Sequence, residues 1–222
     1  MQLQDNVLKE YLKNVYFITG TACGGKTTVS RALAAKHGFA VYDSDRAFDR
    51  HHTMSNASDQ PAMNWKFSGA DDFFFRPYKE YADWLKKNAR EQLDFILMDL
   101  IRLSKNQLVI CDLHLTPDEA ERITDPSRVA FLLRDPENII DDYCNRPDHK
   151  DFHQFIYSTS DPVQAKNNCN QTLAAVNRER YEAVKKSRYF WLERDQNSTV
   201  SSTVLLVEKH FGFDGGGEHL VE

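Results

Sequence analysis

Residues 20–27, Gly20-Thr21-Ala22-Cys23-Gly24-Gly25-Lys26-Thr27, leave few folds open to the chain. Glycines at this density let the backbone wrap so tightly that successive N–H groups point into one hollow, and a helix that follows adds its positive end to the same place. The pattern G-x-x-x-x-G-K-[ST] is that of a phosphate-binding loop, provided a strand enters it and a helix leaves it. Both are present: "VYFIT" at 15–19 reads as a strand, and "TTVSRALAAKHG" reads as a helix closed by Lys36, His37 and a left-handed Gly38. Residues Gly20 to Thr28 are therefore expected to hold a nucleotide. Lys26 would reach the β and γ phosphates, and Thr27 would offer its hydroxyl to Mg²⁺. ATP and Mg²⁺ are the expected cofactors.

Composition narrows the setting. The chain has 222 residues, 41% of them hydrophobic, enough for one substantial core. A net charge of −5 argues against general nucleic-acid binding, which needs a cationic surplus. The sequence lacks an apolar run of membrane-spanning length and a secretion signal, so a cytoplasmic protein is expected, a monomer or homodimer. Cys23, Cys111, Cys144 and Cys169 are widely spaced and read as reduced thiols. Residues 1–213 read as one domain, and the glycine-rich 214–222 as a flexible tail.

Four further short apolar runs, at 39–42, 108–111, 129–133 and 189–192, alternate with helical patterns. Continuous runs of this length suit strands covered on both faces, and the alternation predicts an α/β fold with a parallel sheet. Thr116-Pro117-Asp118-Glu119 reads as a capping box, and Asp135-Pro136 and Asp161-Pro162 as further helix starts. Residues 49 to about 85 break the rhythm and read as a binding excursion.

The second strand ends in Asp43-Ser44-Asp45, and ligands of parallel sheets gather beyond such carboxyl ends. These aspartates either serve a bound ligand or turn the chain and cap the next helix. No N-K-x-D or L-S-G-G-Q motif is present, which sets aside GTPases and transport ATPases.

From the loop through "GKTTVSRALAAKHGFAVYDSD" the sequence resembles the shikimate-kinase-like small-molecule kinases, over about residues 15–46. The resemblance implies a phosphate-loop three-layer sandwich with strand order 2-3-1-4-5, a closing lid, Asp43 holding Mg²⁺ through water, and Asp45 facing the acceptor hydroxyl. "GADDFFFRPYKE" is similar to a carboxylate-gripping segment of that family, which would give Arg76 a substrate contact; stacking on its aromatic neighbours or pairing with Asp72 is the alternative. Arg146-Pro147 matches the lid, within residues 146–161, and Arg146 would there meet the transferring phosphoryl group. Arg134 is either a nucleotide contact or an ordinary ion-pair residue, and "NRERYEAVKKS" offers Arg178 for substrate or lid.

After the third strand the sequence departs from the family. "LVICDLHLTP" replaces a glycine triplet, which makes shikimate doubtful as substrate. Asp112 is either in the place of a second metal-coordinating carboxylate or a carboxylate at a helix approach bonded to local amides, and His114 is either a substrate contact or a buried, satisfied histidine. His149 and His153, four apart, read as surface residues in preference to a zinc pair. The expected activity is transfer of the ATP γ-phosphoryl to a hydroxyl of a small metabolite or antibiotic. Alternatives are a nucleotide or polynucleotide-end kinase and a silent ATP-binding module.

Overall fold

The computed structural model of the chain describes residues 3–144 and 150–213. The five apolar runs become strands β1 (Val15–Gly20), β2 (Ala40–Asp43), β3 (Val109–Asp112), β4 (Val129–Leu133) and β5 (Phe190–Glu193), each within one residue of its predicted bounds. All pairings are parallel and the order is β2-β3-β1-β4-β5. The helices are α1 (Asp5–Tyr11), α2 (Lys26–His37), α3 (Ser44–Met54), α4 (Ala70–Phe74), α5 (Tyr78–Leu103), α6 (Pro117–Ile123), α7 (Pro136–Cys144), α8 (Lys150–Tyr157), α9 (Pro162–Lys185) and α10 (Val200–Phe211). No described helix is long and apolar enough to cross a membrane.

Strand alternation sorts the core into two layers. Val15, Phe17, Val129, Phe131 and Leu133 face one side, where α1, α5, α6 and α9 pack. Tyr16, Ile18, Ala130 and Leu132 face the other, against α2 and α10. A third cluster, Phe74, Ile156, Ala165 and Cys169, joins α4, α8 and α9 away from the sheet.

Local chemistry sets the element ends as expected. Thr116 and Glu119 close a reciprocal capping box on α6, Asp161 accepts from the N–H groups of Val163 and Gln164, and Gly38 ends α2 at φ 70°. The excursion from residue 49 is more ordered than its composition suggests. Its first residues extend α3, and Tyr78 begins the 26-residue α5, so only the stretch around α4 is irregular. Among the described cysteines, Cys23, Cys111 and Cys169 form no disulfide.

One ion cluster holds α10 to α2. Glu208, almost fully enclosed, accepts from Lys36 Nζ (2.8 Å) and meets His37 Nε2 (2.6 Å). Burial alone would raise this carboxyl, but the two bases outweigh it and hold it below the usual glutamate range. A carboxylate with a depressed folded-state pKa adds stability above its unfolded value, and that stability is lost as pH falls through the folded one. Glu208→Gln is therefore expected to cost about 1.5–3 kcal/mol at neutral pH, the strength of hydrogen bonds to charged groups. Urea titrations should show the gap to wild type closing on acidification below the ordinary glutamate range.

Candidate active site

The phosphate loop joins β1 to α2. Gly20 has φ 129°, and a Cβ there would stand 2.0 Å from the Leu132 carbonyl oxygen of β4, so only glycine lets the loop lie against that strand. Thr21 turns away from the hollow: its N–H donates to Leu132 O (3.1 Å) and its hydroxyl accepts from Arg134 N (2.7 Å). Ala22 N–H donates to Asn177 Oδ1 of α9 (2.8 Å). The first intrahelical bond of α2 runs from Val29 N to Gly25 O (3.0 Å), which leaves the N–H groups of Lys26, Thr27 and Thr28 without helical partners at the mouth of the loop. Burial lowers the Lys26 ammonium, Asp112 and Asp45 oppose that shift, and Lys26 Nζ donates to Thr21 O (3.0 Å).

Gly25 caps α2 at φ 81°, and an added Cβ would fall 1.6 Å from Arg194 Nη1. Arg194, just after β5, donates to Gly24 O (3.1 Å) and Ser198 O (3.4 Å), while Arg134 donates to Arg194 O (3.2 Å). Gly25→Ala is expected to lose about 1–2 kcal/mol from the left-handed backbone alone, plus whatever displacing Arg194 costs. In a double-mutant cycle with Arg194→Ala, the clash should cancel and the backbone part should remain, as read by thermal melts.

Three carboxylates lie beside the loop. Parallel register sets Asp43 opposite Asp112 at the ends of β2 and β3. Thr27 Oγ1 donates to Asp112 Oδ2 (2.5 Å), and Asp112 is pushed up by burial, against the pull of Lys26 and Thr27. Asp43 caps α3 by accepting from Arg46 N (3.3 Å) and pairs with Arg31 (3.2 Å). Asp45, one step into α3, makes no hydrogen bond to a described residue and lines a cavity of about 540 Å³ that Ala22 of the loop also lines. Among the described residues, no trio of His, Cys, Asp or Glu could hold a metal ion. Mg²⁺ keeps waters and takes one or two carboxylates together with phosphate oxygens. The hard oxygens of Thr27, Asp43 and Asp112 fit such an ion, and the loop fits the phosphates.

The cavity lies between α3, α5, α9 and the start of the chain after β3. His114 lines it, and its Nδ1 lies 2.9 Å from Arg180 Nη1, which can only donate, and 3.3 Å from Gly20 O, which can only accept; the shorter contact favours Nδ1 as acceptor and the ring proton on Nε2. The Lys26 charge, then burial, hold His114 well below its ordinary value, and the ring is neutral. Burial also lowers Arg180, whose Nε is sealed from solvent without a partner. A largely buried network positions the α3 wall: His51 Nε2 donates to Asp99 (2.8 Å), Tyr42 OH also donates to Asp99 (2.8 Å), and Gln92 Nε2 donates to His51 Nδ1 (3.2 Å).

The structure brings together the loop residues, Asp43, Asp45, Asp112 and His114. It does not bring Arg76 to this cavity. Arg76 stacks over Phe67 (4.4 Å) and Tyr81 (4.8 Å), beside Phe73 and Trp84, and lines a separate hollow. Arg134 stands beside the loop, while Arg178 is exposed and pairs with Glu137. Thr28 is exposed on the first turn of α2. Arg146 and His149 lie outside the described residues, as does the tail 214–222, and His153 is on α8. Sequence reasoning missed Arg180, Asn177, Asn88 and Gln92. The signal was helical phase: Arg180 falls on the stripe Cys169, Thr172, Val176 and Asn177 that faces the cavity, whereas Arg178 does not.

Residues 17–154 match the AAA domain family, over more than half of the chain. Curated proteins give no match. Among solved structures, shikimate kinase from Acinetobacter baumannii in complex with shikimate has a TM-score of 0.50 at 15% identity, covering 90% of this chain and 94% of that one. TT1252 from Thermus thermophilus has a TM-score of 0.50 at 18% identity, covering 87% and 96%. These likenesses are of fold.

Proposed function

This chain belongs to the AAA domain family, and from that premise we propose that it is a phosphate-loop kinase, moving the γ-phosphoryl of ATP to a hydroxyl of a small molecule. One observation carries the reading. Asp45, without a hydrogen-bonded partner among the described residues, lines an open cavity that Ala22 of the phosphate loop also lines, with Lys26 and Asp112 in electrostatic reach. A site built for water or for a partner surface has no need of such a chamber beside its nucleotide. Its size suits a small acceptor better than a polynucleotide end.

The roles follow from chemistry. The loop amides and Lys26 hold the donor phosphates, and Thr27, Asp112 and Asp43 are the groups that would hold Mg²⁺. When bound, that ion neutralises phosphate charge. Asp45 orients the acceptor hydroxyl and takes its proton as the new oxygen–phosphorus bond forms and the bond to the β-phosphate oxygen breaks. Arg180 and neutral His114 supply donors at the far side of the acceptor, so a polar or anionic edge there is accommodated.

The test is ADP release with Mg²⁺ and ATP across sugars, cyclic polyol acids, nucleosides and amino alcohols. Stimulation by a particular acceptor supports the reading. Tight ATP binding with no stimulation by any class would replace it with a silent nucleotide-binding module.

A further inference from the structure

The wall that α3 and α5 give to the cavity is largely apolar, with Phe48, Leu85, Leu93 and Ile96, and sets a few acceptor oxygens into that surface. Asn88 and Gln92 lie one turn apart on α5, each 9% exposed, and both line the cavity. Gln92 Nε2 donates to Ser44 O (3.0 Å) as well as to His51 Nδ1, and Asn88 Nδ2 donates to Ala62 O (3.4 Å). A backbone carbonyl can only accept, so the Ser44 bond sets the nitrogen end of Gln92, and the longer contact to Ala62 O, which also takes the Trp84 indole N–H (2.9 Å), turns the nitrogen of Asn88 the same way. Both amide oxygens are left over. Neither accepts a hydrogen bond from a described residue, and neither is sealed from solvent. The α3 part of the wall adds the carboxylates of Asp45 and Asp49. Lys86, the cation α5 lends to the cavity, is held by Glu179.

The amide oxygens and the carboxylates of Asp45 and Asp49 call for polar hydrogens from the ligand edge that faces α3 and α5, and leave an anionic edge to Arg180 on α9. Hydroxyls can answer such oxygens, but a protonated amine answers them with donors alone and carries the complementary charge. The aromatic rings of Phe73 and Trp84 flank the same space and suit a ring body. We propose that the acceptor is an amine-bearing ring alcohol, with Asn88 and Gln92 as specificity-determining residues whose amide oxygens receive its N–H groups. This rests on the kinase reading only for the fate of the hydroxyl, and ligand choice can be measured without nucleotide.

The probes are matched pairs that differ in the amine: adenosine against purine riboside, and glucosamine against glucose, with shikimate as an anionic hydroxy acid. In calorimetric titrations of the full chain, at least one amine-bearing member is expected to bind about tenfold or more tighter than its partner, because an unanswered pocket oxygen penalises the analogue. Asn88→Leu and Gln92→Leu should collapse that ratio, whereas Asn88→Asp, which keeps the oxygen, should retain it. General damage to the site weakens both members of a pair and leaves the ratio intact. The inference is overturned if amine-free partners bind equally well, if shikimate outranks every amine, if the leucine variants keep the ratio, or if no amine-bearing probe binds below about 1 mM. Binding without ADP release from the same compound would sink the kinase reading and leave this one standing.

Discussion

Lys26→Met is expected to lower acceptor-stimulated ADP release by about 10³ while leaving the fold in place. The magnitude is that of removing a preorganised charge from a phosphoryl-transfer site. Stability should be unchanged or slightly raised. Burial already works against the Lys26 ammonium, and its one side-chain bond among the described residues, to Thr21 O, returns less than a solvated charge would have. The pairing of these two outcomes is the informative part. A thermal melt at or above that of wild type, with ADP release near background, assigns the lysine to the reaction. A variant that unfolds assigns it to the scaffold, and one that retains wild-type turnover removes the phosphate loop from the reaction altogether.

Asp45→Asn should reduce kcat by about 10²–10⁴, the range for a lost general base, with ATP affinity within a few-fold of wild type. Asparagine keeps the shape and an acceptor oxygen but cannot take the proton. Asp45 has no hydrogen-bonded partner among the described residues and is exposed on the first turn of α3, so the change should move folding stability by no more than about 0.5 kcal/mol. Equal loss of ATP binding and turnover would instead make Asp45 a ligand of the nucleotide. A rate close to wild type on a true acceptor would leave proton removal to solvent and cost Asp45 its role.

Much of the framework was legible because it rests on local rules. Apolar runs too short for helices became strands at Val15–Gly20 and Val129–Leu133, and proline-led caps began α6 and α9 where Thr116 and Asp161 announced them. The phosphate loop was legible for the same reason, since its glycines answer to backbone geometry more than to distant contacts. The acceptor side was harder to read. Asn88 and Gln92 sit inside the apolar stripe of α5 with Tyr81, Leu93 and Ile96, and a polar residue in such a stripe does mark a site. Which atoms it offers depends on bonds to Ser44, His51 and Ala62 that only tertiary structure supplies. Arg76 shows the converse. Its sequence context offered either a substrate grip or stacking on aromatic neighbours, and the rings of Phe67, Tyr81 and Trp84 stand round its guanidinium at 4.4–5.3 Å.

Arg194 belongs to the last strand's exit, yet it lies on the backbone of Gly24 and Gly25 near the chain's start. The nucleotide cradle is thus completed late in synthesis: a ribosome-bound chain that has already made β1 and α2 still lacks the guanidinium that braces their junction. Affinity for nucleotide should accordingly report on the integrity of the carboxyl-terminal third, and damage to the turn at residues 194–198 should be felt first at the opposite end of the polypeptide.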